Sequence, residues 1–275
     1  EEFHQDELSN LLGTNFYKYA IKTNGGILLN PQKLCLGLVP KICKGIDVYE
    51  NTKIEKFNID QGPLAYTNEG FKIQTKKIIL AINSWMPELK IKHKYSIPLI
   101  LTSSITRPLT SKERSEIGNP KPWGVLSVKP AGATLRYTND HRIMIRNTSE
   151  PILKTNFNFK KYIEKHKQGL KRRFPQFTDI DIENSWSGFI SVSRNGKPVF
   201  GNLNGKIFYA GVYNGGGLGL SVLFGAAMID SALNLKNSRL KLVENFPQAN
   251  RLPPLPQIFA LIKIKLDQIF GVDEY

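Results

Sequence analysis

Four glycines in five positions, Gly215, Gly216, Gly217 and Gly219, stand between two apolar patterns in the stretch YAGVYNGGGLGLSVLFGAAMIDSAL (Tyr209 to Leu233). Lys206 to Val212 reads as a short buried strand, and Leu218 to Leu233 has the length and small side chains of a buried helix. Glycines between them open backbone angles closed to other residues and let a ligand reach the main chain. The first-turn N–H groups of a helix lack intrahelical partners and carry the positive end of its dipole, so strand, glycine turn and helix start together make an anion site. The stretch lacks the Lys-Ser/Thr of a P-loop, and no glycine three places beyond Gly219 completes a GxGxxG fingerprint. A capped strand turning tightly onto a close-packed helix is the alternative on these residues alone.

The chain of 275 residues, 41% apolar, has material for one large domain or two smaller ones. Its longest uncharged apolar run, Leu218 to Ile229, is broken by glycine and falls short of the roughly 20 residues a membrane span needs. The first ten residues, EEFHQDELSN, are acidic and polar and carry no secretory signal. A net charge of +15 suits an acidic partner, yet the lysines are scattered through an Asn- and Ile-rich background, with concentrations only at LKRRF (Leu170 to Phe174) and KIKHK (Lys90 to Lys94). That scatter argues against nucleic acid as a partner. Cys35 and Cys43 lie on an apolar helical stretch and read as small core residues of a reducing, cytoplasmic compartment. The four histidines are isolated, so no metal site is expected.

Along the chain, DELSNLLG reads as helical. Gly25 to Glu50 reads as a turn, a helix with Asn30 as N-cap and Pro31 in its first turn, and a strand at GIDVYE. TKIEKFN, GPLAYTN and GFKIQTK form an antiparallel meander, and KKIILAINSW a buried strand of a parallel sheet. From Tyr95 to about Arg146 the period changes to two, in YSIPLILTSSITRPL, WGVLSVKP, ATLRYT and RIMIRN, which predicts a second, mainly antiparallel sheet. A charged helix from about Phe157 to Phe174 covers it. SWSGFISVSRNGKPVFG reads as a hairpin with a type I′ turn at Asn195-Gly196, and the chain ends in a proline-rich tail. No internal repeat is evident.

Seven of these segments, taken in order, resemble the C-terminal two-thirds of an FAD-dependent amine or amino-acid oxidase of the D-amino-acid oxidase superfamily. The glycine and sarcosine oxidase group and its γ-glutamylputrescine oxidase-like relatives are the members it is most similar to. The segments are GGILLNPQKLCLGL, GIDVYENTKIEKF, KKIILAINSW, RYTNDHRIMI, WSGFISVSRNGKPVFG, YAGVYNGGGLGLS and the tail RLPPLPQIF. The resemblance implies an α/β (α+β) fold: a partial FAD-binding domain of the glutathione-reductase-like type without its N-terminal βαβ unit, carrying an inserted, mainly antiparallel substrate domain. It divides the chain into residues 1–90 of the FAD-binding domain, 91–184 of the substrate domain, 185–235 returning to the FAD-binding domain with the flavin loop, and a tail from 236 to 275.

By the same resemblance, Gly215, Gly216, Gly217, Leu218 and Gly219 would lie against the pyrimidine side of the flavin, whose reduction leaves negative charge near the helix terminus. Ile54 would offer its main chain to the adenine edge, and Ala81 and Asn83 would pass close to the ribose and pyrophosphate. On the reacting side Arg142 matches a substrate-sheet arginine, and Tyr137 and Trp186 would supply aromatic walls. Arg146 stands where relatives commonly have glycine, either as a clamp for an acidic substrate or as an obstruction, and Arg194 replaces an acidic turn residue. The implied activity is FAD-dependent oxidation of the C–N bond of a small amine or amino acid to an imine. The implied partners are that substrate and the missing βαβ segment, with a peripheral membrane contact open to the C-terminal tail. A tRNA-modifying flavin oxidase of the same superfamily and a non-catalytic remnant that binds a partner chain are the alternatives.

Overall fold

The computed structural model describes residues 1–42, 45–58, 62–129, 132–151, 159–177 and 180–271. Cys43 and the first residues of the helix expected from Phe157 lie outside them. The chain opens with strand β1 (Glu2–His4), helix α1 (Gln5–Leu12), strand β2 (Tyr19–Ile21) and helix α2 (Pro31–Ile42). Strands β3 (Ile54–Asn58), β4 (Leu64–Thr67), β5 (Lys72–Gln74) and β6 (Ile78–Leu80) follow, then a 3-10 turn at Asn83–Trp85. Next come β7 (Ile97–Thr106), α3 (Ser111–Glu116), β8 (Trp123–Leu126), β9 (Thr134–Tyr137), β10 (Ile143–Pro151) and α4 (Phe159–Arg173). The remainder is β11 (Ile182–Val192), β12 (Val199–Leu203), β13 (Ile207–Gly211), α5 (Gly217–Ala232), α6 (Ser238–Glu244) and α7 (Pro256–Phe270).

These elements form two compact units. The first comprises residues 1–29, 100–188 and 257–275, and its boundaries fall inside β7 and β11. Its main sheet has the order β11-β7-β10-β9-β8, with β8, β9 and β10 paired antiparallel. The alternating pattern turns Leu135, Tyr137, Ile143 and Ile145 inward, each at most 1% exposed, onto Leu170 of α4 and Phe174 just beyond its end. Burying side chains of this size stabilises by roughly 1.5–3 kcal/mol each. A buried polar line runs beside this core. Ser185 Oγ lies 2.7 Å from Ser104 Oγ, which lies 2.6 Å from His166 Nδ1, and Thr148 Oγ1 is 3.4 Å from His166 Nε2. His166 is fully buried, and loss of solvent holds its imidazole down to about 4.

The second unit comprises residues 30–99 and 189–256. It contains the β3-β4-β5 meander and a sheet of order β12-β13-β6, in which β13 is antiparallel to β12 and parallel to β6. All five residues of β13 are buried. Phe208 and Ala210 pack against Phe224, Ala227 and Met228 of α5, while Ile207 and Tyr209 meet Leu80, Met86 and Ile91 on the opposite face. Arg239 forks onto Asp230 with two bonds of 2.7 Å, holding that carboxyl below its usual range and tying α6 to α5.

Several expectations are corrected. GIDVYE forms no strand, and its Ile46, Val48 and Tyr49 are exposed, because no described segment offers it a ladder partner. SWSGFISVSRNGKPVFG is not a hairpin: β11 joins the sheet of the first unit and β12 pairs with β13. Its turn is not type I′ either, since only Gly196 has a positive φ, at 66°, whereas both central residues of that turn require one. Cys35 is exposed rather than a core residue. The proline-rich tail ends in a helix, α7, with Pro256 at its first position. Helix α2 starts as expected, Asn30 Oδ1 accepting from the Lys33 N–H at 3.0 Å, but Leu34, Leu36, Leu38 and Val39 are all 40% exposed or more. The outer stripe of α5, Leu218, Val222, Ile229 and Leu233, is likewise open at 45% to 74%.

Candidate functional site

The glycine turn forms at the end of β13, which is held from beneath. Asn83 Oδ1 accepts the Val212 N–H at 2.8 Å, and Asn214 Nδ2 donates to the Val212 carbonyl at 2.7 Å. The Ser193 N–H donates to Asn214 Oδ1 at 2.8 Å. Val212 is fully buried and has φ 59°, a region where a β-branched residue is an outlier. Such strain costs of order 1–3 kcal/mol and persists only where its surroundings impose it. Here both main-chain groups of Val212 are satisfied by carboxamides, and Asn83 and Asn214, themselves at φ 37° and 52°, belong to the residue type that tolerates that region. Gly211 is required for packing: a Cβ there would stand 2.7 Å from Met86 Cε and 3.1 Å from Asn83 Cα.

The next glycines have other reasons. Gly215 has φ 90°, and Gly216 is the N-cap of α5. Gly217 and Gly219 have neither a positive φ nor a close neighbour: a Cβ on Gly217 would come no nearer than 3.8 Å to another atom, and one on Gly219 would meet nothing within 4 Å. Glycine in a helix is disfavoured against alanine by up to about 1 kcal/mol, and no contact within the chain compensates for it here. No side chain caps α5, and among the described residues the N–H groups of Gly217, Leu218 and Gly219 have no acceptor. Bare, open backbone with free donors at the positive end of a 16-residue helix suits a group bearing negative charge that approaches the main chain closely.

All eight positions expected to meet a cofactor fall in the second unit, and the three expected to act on substrate fall in the first. Ile54 begins β3, an edge strand of its sheet, and Ala81 is exposed just beyond β6. The Asn83 carboxamide is directed to Val212, a positioning role that the sequence reading did not foresee. In the first unit, Tyr137 is 1% exposed, stacked on Trp123 and bonded through its hydroxyl to His141 Nδ1 at 3.1 Å. Arg142 bonds Asp140 at 2.9 Å, Glu183 at 2.7 Å and the Thr106 carbonyl at 3.0 Å. Trp186 is 44% exposed on β11, and Arg194 is exposed in the turn that follows.

Arg146 pairs in register with Thr134 and donates to its hydroxyl, whereas Tyr137 pairs with Ile143. Alternation therefore places Arg146 and Tyr137 on opposite faces of the sheet. The face of Arg146 carries a second guanidinium that the sequence reading missed, Arg136, diagonally beside it through the Met144 pairing. Arg136 lies across Gly124, where a Cβ would come within 3.0 Å of its Cδ and Nη1. It donates to the Leu135 carbonyl at 3.0 Å, and among the described residues it has no carboxylate partner. Burial lowers its pKa, the mark of a cation held out of water without a counter-charge. The register that would have revealed it is the pairing of ATLRYT with RIMIRN.

Comparison with known proteins gives a consistent result. The chain is 24% identical over 253 residues to the Probable oxidoreductase OrdL of Haemophilus influenzae, covering 86% of this chain and 54% of that protein. It therefore spans about half the length of this curated relative. The fold matches a glycine oxidase from Geobacillus kaustophilus with TM-score 0.72 at 17% identity, covering 86% of this chain and 64% of that one. It matches an iminodiacetate oxidase from Chelativorans sp. with TM-score 0.71 at 14% identity, covering 90% and 67%. The family model described as FAD dependent oxidoreductase matches residues 4–231. The glycine turn ahead of α5 thus lies within a chain that belongs to the FAD dependent oxidoreductase family, whose model covers it.

Proposed function

We propose that this chain carries the flavin-ring cradle and the substrate sheet of an enzyme that oxidises the C–N bond of a small amine or amino acid to an imine. Bound FAD would supply the acceptor for the hydride. The observation that carries the reading is the pair of helical glycines, Gly217 and Gly219, that neither conformation nor packing within the chain requires. The N–H groups of Gly217, Leu218 and Gly219 would orient the ring edge and oppose the negative charge gained there on reduction. Asn83 and Asn214 would hold the turn in place, so that little reorganisation accompanies that change. Ile54 and Ala81 would line the adenine and ribose sides. On the substrate sheet, Arg146 and Arg136 present two guanidinium forks on one face, an arrangement suited to a carboxylate. Arg142, engaged by two carboxylates, would position the strand leading to Arg146, and Tyr137 would support the same sheet from its core side.

The partial FAD-binding domain is the second part of the proposal. The apolar residues of α2, the stripe on α5 and the edge of β6 leave Leu36, Val222 and Ile79 uncovered in the second unit. Exposed apolar surface of this extent marks an interaction face, and the relatives are longer than this chain. A βαβ segment bearing a phosphate-binding fingerprint would cover that face and hold the pyrophosphate. The test is FAD retention by the 275-residue chain alone and with such a segment supplied from a glycine oxidase. Weak binding alone and stoichiometric flavin with the segment are expected. Stoichiometric flavin on the chain alone would overturn the need for the segment, and absence of flavin in both would overturn the cofactor assignment. The site is proposed to act in the cytoplasm; among the described residues no helix is long and apolar enough to cross a membrane. Helix α7 exposes Phe259, Ile262, Leu266, Ile269 and Phe270 along one side, which supports a peripheral membrane contact, testable by co-sedimentation with anionic vesicles.

A further inference from the structure

The basic run Lys90 to Lys94 has no part in the flavin or substrate readings, yet it is built into a cavity of about 370 Å³ with Tyr95, Leu203, Tyr209 and Arg251. The loop is fixed at several points. The Met86 carbonyl accepts from the Ile91 N–H at 3.0 Å, the Lys92 carbonyl from the Tyr95 N–H at 2.9 Å, and the Lys94 carbonyl from the Leu252 N–H at 2.7 Å. The last bond ties the loop to the segment bearing Arg251. Lys90 and Lys92 sit at φ 59° and 46°, a conformation usually left to glycine or asparagine. The Lys92 ammonium is held 4.8 Å from the ring centre of Tyr95 and 5.8 Å from that of Tyr209. Ring faces stabilise a cation without filling its N–H donors, so Lys92 keeps donors for an oxygen anion.

Charge makes the case sharper. Among the described residues, Lys90, Lys92, Lys94 and Arg251 have no carboxylate within 4.0 Å, and the nearby Glu88 is turned to Lys53. Four cations around one cavity repel one another, and partial enclosure strengthens that repulsion. An anion carrying two or more charges would relieve it. We propose that this cavity is a second ligand site, binding a phosphate-bearing small molecule with at least two negative charges. Tyr209 reaches it from the face of β13 opposite α5, so it is separate from the glycine turn. Convergence of the cations into a cavity of this size, rather than along a groove, favours a small ligand over a nucleic acid.

Calorimetric titration of the full chain with inorganic pyrophosphate at low ionic strength tests the site. One saturable site with a Kd below about 1 mM is expected, and Lys92→Gln and Arg251→Gln should each weaken it by about tenfold or more. Lys236→Gln, at an exposed position of the same unit outside this cavity, should leave it unchanged. Lys94→Gln at the rim gives a variant that keeps the loop's ring contacts, and melting curves establish that each variant is folded. Absence of saturable binding, or equal weakening by Lys236→Gln, would overturn the proposal. Tighter binding of a single-stranded RNA, lost through the same substitutions, would overturn it in favour of nucleic acid.

Discussion

Replacing Gly219 with alanine separates a cofactor cradle from a packing device, because the two readings give opposite signs. Gly219 is the third residue of α5, has no positive φ, and would place its new Cβ where no atom lies within 4 Å. Alanine therefore enters without strain and removes the entropic handicap of glycine, a gain of about 0.5–1 kcal/mol. For a chain of this size that corresponds to a rise in melting temperature of roughly 1–4 °C. The same methyl group occupies the space a flat ring would need, so FAD affinity in the protein complemented with the βαβ segment should fall by about tenfold, equivalent to ~1.4 kcal/mol. Gly211→Ala is the control. Its Cβ would meet Met86 Cε at 2.7 Å and Asn83 Cα at 3.1 Å, and overpacking of that kind costs about 1–3 kcal/mol. Urea unfolding of the unliganded chain and flavin fluorescence titration measure the two effects separately. If Gly219→Ala destabilises the chain as Gly211→Ala does, or leaves flavin affinity within about twofold, less than ~0.5 kcal/mol, the cradle reasoning is refuted.

Other substitutions and conditions give distinct outcomes. Asn83→Ala removes the acceptor of the buried Val212 N–H and should cost about 1–3 kcal/mol, seen as lost hydrogen-exchange protection at Val212, while Asn83→Asp, which keeps the acceptor, should retain it. His166, held at about 4 against an ordinary 6.5, takes up its proton more readily in the unfolded chain, so stability is full above pH 6.5 and falls as pH drops toward 4. At about 1.4 kcal/mol per pH unit the loss is on the order of 3 kcal/mol, and His166→Gln should flatten that part of the urea-denaturation profile. Glu113, held at about 2 chiefly by its bond to Arg107, contributes in the same direction but only below its ordinary 4.5, so the two windows overlap only near the lower end of the His166 range. Arg146→Gly and Arg136→Gln should each raise KM for an amine bearing a carboxylate by roughly one to two powers of ten, about 1.5–3 kcal/mol, and change a simple polyamine only a few-fold. Steady-state kinetics showing equal indifference of both substrates would remove the clamp.

Where local chemistry determined an element, the sequence was sufficient. Asn30-Pro31 starts α2, strict alternation marks β9 and β10, and the apolar run Ile78-Ile79-Leu80 becomes β6, parallel to β13, although it is an edge strand with Ile79 38% exposed and not the buried strand expected. Short elements escaped although their signals were present: Thr110 and Glu113 form a full capping box at α3, and Asn237 caps α6. The misread hairpin has a different cause. Asn195-Gly196 looks like a two-residue turn, but strand partnership is decided by distant residues, and those direct β11 to β7 and β12 to β13. GIDVYE has a strand composition and no partner, so composition alone could not make it one.

The same division runs through the candidate site. The glycine turn ahead of α5 was legible because its backbone geometry is local, whereas Arg136 becomes notable only once the pairing of Arg146 with Thr134 brings both guanidiniums to one face. Asn83 shows the limit most clearly. The resemblance set it close to the ribose and pyrophosphate, and its side chain reaches across 129 positions of sequence to hold Val212 in a strained conformation. That strain bears on function if the turn must keep its shape while charge changes beside it. A relaxed turn could follow the charge and so lose part of the stabilisation that a fixed dipole provides, whereas a turn anchored through both main-chain groups of a buried valine has nowhere to relax. On this argument Asn83→Asp, although it preserves the bond, should still reduce hydride acceptance, because the carboxylate adds a fixed negative charge beneath the turn and opposes the positive helix end. Anaerobic reduction of the complemented, flavin-loaded protein by an amine should then be slower in Asn83→Asp than in the parent at equal flavin occupancy. An unchanged rate would show that the anchor serves the fold alone.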